Sequence, residues 1–371
     1  MANPLCTYFG ECGGCSCQHI DYSVQLENKK KALARAINFD NITVFSGKEY
    51  GYRNRMDFVF TKSGIGLRKK DKWHNIIDIE KCAISNEKLN TLLKETRDFF
   101  KEPDYFDLKR GTGTFKYAVI RTPREDSSIS FVLSESGKLS EAIEQAKEFA
   151  AKTTANNILV TYVPKETDES VSDEFFAVKG NDMLKEKYLG IEFLYSVQGF
   201  FQNNQEIAEK MHQYVHELLK SHNTKDAHLL DLYAGVGTFG IINAKLFKNV
   251  TIIENSKQCI DAANLNITNN NIQNAKALVL DAKQLKKVQL PQPLFVITDP
   301  PRSGMEPKTI QQLNELRPAA IIYISCNIQQ LAKDIQKFSN YSVKSAAMFD
   351  LFPQTNHIEA VVELARIPKN L

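Results

Sequence analysis

The feature that most constrains the fold is a regular alternation of helices and strands in the second half of the chain. The pattern predicts a helix over residues 205–219 and short apolar strands at residues 228–233, 250–254, 294–298 and 320–325, with helical segments between them. Strands that alternate with helices in this way form a parallel sheet covered by helices on both faces. We therefore predict an α/β fold in which residues 196–371 form a doubly wound, Rossmann-like domain.

The first half of the chain has a different pattern. Residues 22–37 predict an amphipathic helix, and β-like runs follow at residues 56–61, 116–121, 129–133 and 157–163, separated by turns rich in glycine and serine. We predict an N-terminal α+β domain over residues 1–195. A length of 371 residues is sufficient for two domains, each with its own core.

Composition excludes two classes of protein. The chain is 43% hydrophobic and 25% charged, and it has no apolar run near the ~20 residues that cross a bilayer, so it is neither membrane-spanning nor disordered. The N-terminus lacks a secretory signal, and we expect a cytoplasmic protein without an obligate protein partner. A formal net charge of +3 is too small to indicate a nucleic-acid partner by itself.

Seven cysteines are distributed unevenly along the chain. Cys6, Cys12, Cys15 and Cys17 lie within twelve residues, and the other three stand alone. An odd number in a long chain without a secretion signal indicates metal ligation or a reactive thiol rather than disulfides. If the first three bind a metal, the fourth ligand is either Cys17 or Cys82. All-sulfur coordination suits zinc or an iron–sulfur cluster, and spacing alone does not decide between them; incidental thiols are the remaining alternative.

A glycine-rich turn follows the predicted strand that contains Asp231. Gly235, Gly237 and Gly240 have the spacing G-x-G-x-x-G, and Glu254 closes the next strand, where an acidic residue binds the ribose of an adenosine-containing cofactor. A nicotinamide cofactor, S-adenosylmethionine, or a tight turn without a ligand all fit this arrangement. The carboxylate of Asp231 favours S-adenosylmethionine, since it can face a cationic amino-acid group but would repel a pyrophosphate.

Four further segments stand out in the second half of the chain. They are Gly199-Phe200-Phe201-Gln202-Asn203-Asn204, Asp299-Pro300-Pro301-Arg302-Ser303-Gly304, Ser325-Cys326-Asn327, and the stretch from Asp350 to Glu359. Together with the cysteine loop, these segments resemble the RNA uracil-5-methyltransferase family in its iron–sulfur-containing branch. Because the chain begins directly at the cysteine loop, we expect it to lack the N-terminal RNA-binding barrel of longer relatives. It is then similar to the enzymes that methylate one loop uridine of large-subunit ribosomal RNA.

The resemblance implies transfer of a methyl group from S-adenosylmethionine to C5 of a uridine in RNA. We expect 23S ribosomal RNA as the substrate, with the T-loop of tRNA as the alternative. C5 of uracil is a weak nucleophile, and a thiolate added at C6 activates it. The resemblance assigns that thiolate to Cys326 and the base that removes the C5 proton to Glu359. A buried structural cysteine is the alternative for Cys326, and Glu363 is the rival of Glu359.

The resemblance also implies two sets of ligands. The residues that would contact S-adenosylmethionine are Gln202, Tyr233, Thr238, Glu254, Asp281 and Asp299. The residues that would hold a [4Fe-4S] cluster are Cys6, Cys12, Cys15 and Cys82. Cys17 is then a spare thiol, and Asp281 has a second interpretation as a helix cap.

Two basic segments are candidate contacts for RNA. The first, residues 51–70, combines Arg53, Arg55, Lys62, Arg68, Lys69 and Lys70 with the aromatic residues Tyr52, Phe58 and Phe60. The second contains Lys109, Arg110, Lys116, Arg121 and Arg124. Such segments suit phosphate contact and base stacking, and a solvated basic strand face is the alternative. The target uridine has to be turned out of its stack, which favours a loop over a duplex.

Two functions from other classes also fit parts of the sequence. An iron–sulfur oxidoreductase with a nicotinamide cofactor would use the cysteines and the glycine turn, but it gives the segments around Arg302 and Cys326 no role. A non-catalytic RNA-binding or zinc-ribbon protein would explain the basic segments, but not the pair of Cys326 and Glu359.

Overall fold

Two β-sheets carry most of the chain in the computed structural model, which describes residues 2–62 and 64–367. The helices of this part are α1 (Tyr22–Ile37), α2 (Glu87–Phe99), α3 (Leu139–Ala150), α4 (Gln205–Lys220), α5 (Thr238–Asn243), α6 (Lys257–Asn269), α7 (Pro307–Leu316) and α8 (Ile328–Ile335). The first ten strands are β1 (Ile42–Phe45), β2 (Arg55–Thr61), β3 (Gly64–Lys69), β4 (Lys72–Asp78), β5 (Phe115–Arg121), β6 (Ser128–Ser134), β7 (Asn157–Val163), β8 (Phe175–Lys179), β9 (Met183–Tyr188) and β10 (Ile191–Ser196). The later strands are β11 (His228–Leu232), β12 (Asn249–Glu254), β13 (Ala275–Val279), β14 (Leu294–Thr298), β15 (Ala320–Ser325), β16 (Tyr341–Phe349) and β17 (Glu359–Arg366). None of the described helices has the length and apolar character that a membrane span requires.

The larger sheet has eight strands in the order β1-β16-β17-β15-β14-β11-β12-β13. The run from β15 to β13 is parallel, and β17 is antiparallel to both of its neighbours. Every residue of β11, β14 and β15 is buried, as expected for strands that are covered on both faces. The predicted α/β fold with a doubly wound, Rossmann-like sheet is therefore confirmed.

One edge of the larger sheet comes from the N-terminal part of the chain. β1 pairs in parallel with β16, with Ile42 opposite Ala346, and α1 packs against α8 and buries Leu33 and Ile37. The segment before residue 195 is thus divided between the two sheets. The domain boundary between residues 195 and 196 stays a prediction.

The smaller sheet has seven strands in the order β4-β3-β2-β5-β6-β7-β8, so that β4 and β8 are its two edges. α2 packs on β5, and α3 packs on β6, β7 and β8. Rings of Phe60, Phe115 and Phe131 meet one another in its core. The hairpin β9–β10 follows, and its second strand packs against α6.

The parallel strands of the larger sheet determine where a site can form. β11, β12, β14 and β15 all end at the same edge of the sheet, so the loops that follow them converge there. In open α/β sheets ligands bind at this edge.

Candidate active site

A large cleft of about 1380 Å³ opens at the carboxyl ends of these strands. One wall comes from the loops of the larger sheet, with Tyr233, Gly235, Glu254, Asp299, Arg302, Cys326 and Glu359. The opposite wall comes from β2, β3 and β5 of the smaller sheet, with Met56, Asp57, Val59, Leu67, Arg68, Lys69 and Tyr117. The cleft therefore lies between the two sheets.

Cys326 and Glu359 lie at the facing ends of two neighbouring strands. β15 ends at Ser325, β17 is antiparallel to it, and Ser325 is paired with Ala360. One further step in the same register brings Cys326 beside Glu359. Both residues line the cleft, whereas Glu363, further along β17, is not among its described lining residues.

The turn after Cys326 is fixed by Asn327. The Oδ1 atom of Asn327 accepts hydrogen bonds from the backbone N–H groups of Gln329 and Gln330, each at 3.2 Å, which is the usual way to cap a helix. Its Nδ2 donates to the carbonyl of Arg302 at 3.0 Å. The same side chain therefore starts α8 and joins the loop after β14 to the loop after β15.

Three acidic groups share this part of the cleft. Burial, and then the charges of Glu359 and Asp299, raise the pKa of Cys326, whereas Arg302 lowers it. Burial and the charge of Asp299 hold the pKa of Glu359 well above its usual value, again opposed by Arg302. Burial raises the pKa of Asp299 to about 7. Titratable groups perturbed in this way within one cleft are typical of catalytic sites.

The glycine-rich turn after β11 approaches Glu254 through its backbone. The Oε2 atom of Glu254 accepts a hydrogen bond from the N–H of Gly235 at 3.2 Å, and Oε1 accepts from the N–H groups of Asn255 and Ser256. Tyr233 adopts a φ of 56°, which is uncommon for a residue other than glycine. Such outliers concentrate at functional sites, and both Tyr233 and Glu254 face the cleft.

The structure brings together four of the six residues predicted to contact S-adenosylmethionine. Those that line the cleft are Gln202, Tyr233, Glu254 and Asp299. Thr238 and Asp281 are not among the described lining residues. Thr238 begins α5, and the carboxylate of Asp281 accepts the N–H of Lys283 at 2.9 Å and caps a short 3₁₀ turn.

Asp231 lies beside the glycine-rich turn and is not among the described residues that line the cleft. Its side chain is buried, and its Oδ2 atom accepts the N–H of Gly240 at 2.7 Å. Burial raises the pKa of Asp231 to about 8. One oxygen of this carboxylate is thus engaged at the start of α5, and the interpretation that the side chain faces a cationic ligand group stays a prediction.

The four predicted cluster ligands line a second, smaller cavity. They are Cys6, Cys12, Cys15 and Cys82, and most of the other lining side chains are apolar. Cys17 is buried elsewhere, and its thiol donates to Oδ1 of Asn356 at 2.9 Å. Within residues 2–62 and 64–367 no group of three or more histidine, cysteine or acidic side chains is arranged to hold a metal ion. The predicted [4Fe-4S] cluster is not supported by that observation and stays a proposal.

The aromatic residues of the first basic segment do not face solvent. Phe58 and Phe60 lie in the core of the smaller sheet, and Tyr52 is also buried and donates to the carbonyl of Pro353 at 2.9 Å. The suggestion that these three rings stack on RNA bases is therefore wrong.

Most cations of the second basic segment are occupied within the protein. The Nζ atom of Lys116 donates to the carbonyls of Pro164 and Thr167, and buried Arg121 donates to the carbonyl of Gly199 at 2.6 Å. Arg124 pairs with Glu209. These three side chains are bonded to other groups of the protein and are not among the described residues that line the cleft.

Arg302 and Phe200 are prominent among the residues that line the cleft and to which the sequence gave no individual role. Arg302 lies beside Cys326 and also bonds Nδ1 of His357 at 3.2 Å. Phe200 is 69% exposed at the mouth of the same cleft. The sequence signal that could have identified them is their position within the segments 299–304 and 199–204, which carry the family resemblance.

Comparison with known proteins identifies the family. The family model for tRNA (uracil-5-)-methyltransferase matches residues 21–367. The tRNA (uracil(54)-C(5))-methyltransferases of Pyrococcus abyssi and Pyrococcus horikoshii are each 32% identical to this chain, over 97% of it and 85% of their own length. An RNA methyltransferase of Caldanaerobacter subterraneus subsp. tengcongensis, uncharacterised by its name, is 31% identical over 96% of this chain and 83% of its own.

A solved structure agrees with these matches. The crystal structure of the Pyrococcus abyssi tRNA (uracil-54, C5)-methyltransferase in complex with S-adenosyl-L-homocysteine aligns with a TM-score of 0.81 at 30% identity. The alignment covers 95% of this chain and 86% of the other. The predicted family and the use of S-adenosylmethionine are thus confirmed. The chain belongs to the tRNA (uracil-5-)-methyltransferase family and is an S-adenosylmethionine-dependent RNA uracil-C5-methyltransferase.

Proposed function

We propose that this enzyme methylates C5 of a uridine in the T-loop of tRNA. The observation that carries the proposal is the similarity, along nearly the whole chain, to relatives named for uracil 54 of tRNA. These relatives favour tRNA as the substrate, whereas the sequence alone favours 23S ribosomal RNA. A loop uridine is also easier to turn out of its stack than a base-paired one.

In the proposed mechanism the thiolate of Cys326 adds to C6 of the uracil ring. The new S–C6 bond pushes electrons toward C5, which becomes the nucleophile. Support comes from the position of Cys326 beside Glu359 in the cleft and from Arg302, which favours the thiolate. S-adenosylmethionine, when bound, supplies the electrophilic methyl group: the bond from C5 to the methyl carbon forms as the bond from that carbon to the sulfonium sulfur breaks, and S-adenosylhomocysteine leaves.

Glu359 would then remove the C5 proton. Loss of that proton restores the C5–C6 double bond, breaks the S–C6 bond and releases Cys326 as a thiolate. Burial and the charge of Asp299 raise the pKa of Glu359, so its carboxylate is a stronger base than an exposed one. The proton passes to the carboxylate, and the cycle leaves both side chains ready for another turnover once Glu359 loses it to solvent.

Four cleft residues would hold the methyl donor. We assign the ribose hydroxyls to Glu254, and the polar groups near the reacting methyl to Gln202 and Asp299, with Tyr233 beside them. Thr238 and Asp281 remain candidates by resemblance alone.

We also propose that Cys6, Cys12, Cys15 and Cys82 hold a [4Fe-4S] cluster. All four line one cavity with mostly apolar walls, and four cysteine thiolates are the donor set of such clusters. The methyl transfer needs no electron from this group. Its ligands come from the cysteine loop and from the segment after β4, so it would join these two parts of the chain.

The cluster is tested by the iron and acid-labile sulfide content of protein purified without oxygen. We expect iron and sulfide in equal amounts and a brown absorption. The Cys82→Ser variant should lose both, whereas Cys17→Ser, the matched control, should keep them. Zinc in place of iron, or equal iron in the two variants, would contradict the assignment.

The substrate is tested with labelled S-adenosylmethionine and unmodified transcripts of tRNA and 23S ribosomal RNA, followed by nucleoside analysis. We expect 5-methyluridine in the tRNA, and none when uridine 54 is replaced by cytidine or when the enzyme carries Cys326→Ala. Labelling of the ribosomal transcript without the tRNA would overturn the proposed substrate.

A further inference from the structure

The single tryptophan of the chain lies on the surface of the smaller sheet. Trp73 is on β4, an edge strand, and is 53% exposed. Tryptophan is the side chain with the most apolar area to bury. An indole left half in solvent on an edge strand is therefore available to a partner.

The hairpin around Trp73 carries more positive than negative charge, although the exposed Asp71 lies between Lys70 and Lys72. Lys70 and Lys72 are exposed, and no ion pair is recorded for either of them within the described residues. Arg68 also lies beside the ring, with its guanidinium 5.5 Å from the ring centre. The ring of His74 packs against the indole, with 3.5 Å between the ring centres. The patch formed by Trp73, Lys70 and Lys72 thus combines a half-exposed aromatic surface with cations that have no ion pair within the described residues.

Trp73 is held in a defined position. Nη1 of Arg68 donates to the carbonyl of Trp73 at 2.8 Å, and Arg68 is itself paired with Asp168. The hairpin β3–β4 is also fixed to the cysteine loop, because the N–H of Lys70 donates to the carbonyl of Glu11 at 2.7 Å. The exposed ring is therefore presented by a supported strand.

The patch continues the wall of the catalytic cleft. Arg68, Lys69, Lys70 and Asp71 line the same cleft as Cys326, and Trp73 follows two residues later on the same hairpin. A substrate with its uridine at Cys326 and a long, anionic remainder would extend past this hairpin.

We propose that Trp73 stacks on an unpaired base of the RNA substrate, while Lys70 and Lys72 contact the neighbouring phosphates. The inference rests on the proposed function, since it takes tRNA as that RNA. Aromatic stacking with adjacent cations is how proteins bind unpaired nucleotides. Trp73, rather than the buried rings of Phe58 and Phe60, would then be the stacking residue next to this basic segment.

The first test uses fluorescence, because Trp73 alone supplies the tryptophan emission of the protein. We expect unmodified tRNA to change that emission and to saturate at the concentration that shifts the protein in a native gel. An emission that stays constant while the gel shows full binding would overturn the inference.

The second test uses variants. Trp73→Ala should raise the KM for tRNA by about 5- to 100-fold and leave kcat at saturating tRNA unchanged, and Trp73→Phe should recover most of the loss. Phe176→Ala is the matched control, since Phe176 is 37% exposed on β8, the opposite edge of the same sheet. Equal KM values for Trp73→Ala, Phe176→Ala and wild type would contradict the stacking role.

The phosphate contacts have a separate readout. Replacing Lys70 or Lys72 by alanine should reduce the slope of log Kd against log salt by about 0.7 for each lysine, and an unchanged slope would exclude the contact. If the wild type methylates ribosomal RNA and not tRNA, the proposed substrate fails. The same Trp73→Ala comparison on ribosomal RNA then decides whether the stacking role holds.

Discussion

At the scale of single residues, a thiol and two carboxylates in the cleft compete for protons. Burial and the charge of Asp299 raise the pKa of both Cys326 and Glu359. Each has to lose a proton before it acts, Cys326 as nucleophile and Glu359 as base. The protonated forms, which are favoured at low pH, are therefore inactive in the proposed mechanism.

The single-turnover rate of methyl transfer needs the Cys326 thiolate, whose pKa is raised by burial, so the rate should rise as pH increases toward and beyond the usual range of a thiol. Asp299→Asn removes a charge that raises both pKa values, so the rising limb should move to lower pH even if the variant binds S-adenosylmethionine less tightly. Rapid-quench measurements at saturating substrates give both profiles. A rate that falls as pH increases through this range would contradict the assigned roles.

Glu359→Gln separates the two halves of the reaction. The variant keeps the shape of the side chain but cannot take the C5 proton, so Cys326 adds to the ring and the methylated adduct persists. We expect an RNA–protein complex that survives a denaturing gel, and turnover reduced by about 10²- to 10⁴-fold. Adding Cys326→Ala should abolish the complex. A complex that persists in the double variant would mean that another residue is the nucleophile.

At the scale of elements, the loop between β16 and β17 is held by the N-terminal part of the chain. Buried Asp350 accepts a salt bridge from Lys29 of α1 at 2.6 Å. The carbonyl of Gln354 accepts hydrogen bonds from the backbone N–H groups of Ser16 and Cys17, each at 3.0 Å. Because β17 begins with Glu359 directly after this loop, α1 and the cysteine loop help to position the proposed base.

Breaking the buried pair should be costly. Lys29→Met leaves the Asp350 carboxylate without its cation in the interior, and we expect a loss of about 3–5 kcal/mol in the free energy of unfolding. Lys31→Met is the matched control, since Lys31 lies two residues further along α1 in an exposed pair with Glu27. That change should cost less than about 1 kcal/mol. Urea unfolding of both variants measures the difference, and similar values would refute the role of the pair.

Local sequence patterns predict helices and strands well where the residues of the segment itself determine its secondary structure. The predicted bounds of α1, β7, β14 and β15 agree with the structure, because their apolar periodicity and flanking turns are contained in the segment. β1 was not predicted, since its four residues form a strand by pairing with β16, about three hundred positions away. Pairing over such distances leaves no local signal.

The site was predictable to the same degree. Motifs identified residues that the structure brings into one cleft, including Cys326, Glu359 and Glu254. The side of the sheet on which a given side chain lies was not predictable. A strand places alternate residues on opposite faces, and only packing determines which face is buried in the core. Phe58 and Phe60 therefore looked available for stacking, although both are buried.

At the scale of the whole molecule, hydrogen bonds from the smaller sheet hold a segment that contributes to the cleft. Arg121 of β5 donates to the carbonyl of Gly199 at 2.6 Å, and the N–H of Asn54 donates to the carbonyl of Asn203 at 3.0 Å. Both bonds hold the segment that carries Gln202. The smaller sheet thus positions one proposed contact of the methyl donor.

Arg121→Met tests this role of the smaller sheet, because stability and binding should respond differently. Burial, and then the nearby charge of Arg55, lower the pKa of Arg121 to about 9. The free energy of desolvating this guanidinium therefore offsets the stabilisation from its hydrogen bond to Gly199. Replacement by an apolar side chain should change the free energy of unfolding by less than about 2 kcal/mol. Without the tie to Gly199, the affinity for S-adenosylmethionine should fall by roughly tenfold, equivalent to about 1.4 kcal/mol.

Arg124→Met is the control for that experiment. Arg124 lies three residues further along, pairs with Glu209 and also lies 3.9 Å from the buried Glu186. Because it has no bond, among the described residues, to the segment that carries Gln202, its loss should leave the cofactor affinity within about twofold. Calorimetric titration with S-adenosylmethionine gives the affinities, and urea unfolding gives the stabilities. Equal affinities in the two variants would show that the smaller sheet does not position the cofactor segment. A large loss of stability in Arg121→Met would instead make Arg121 a structural residue of the core.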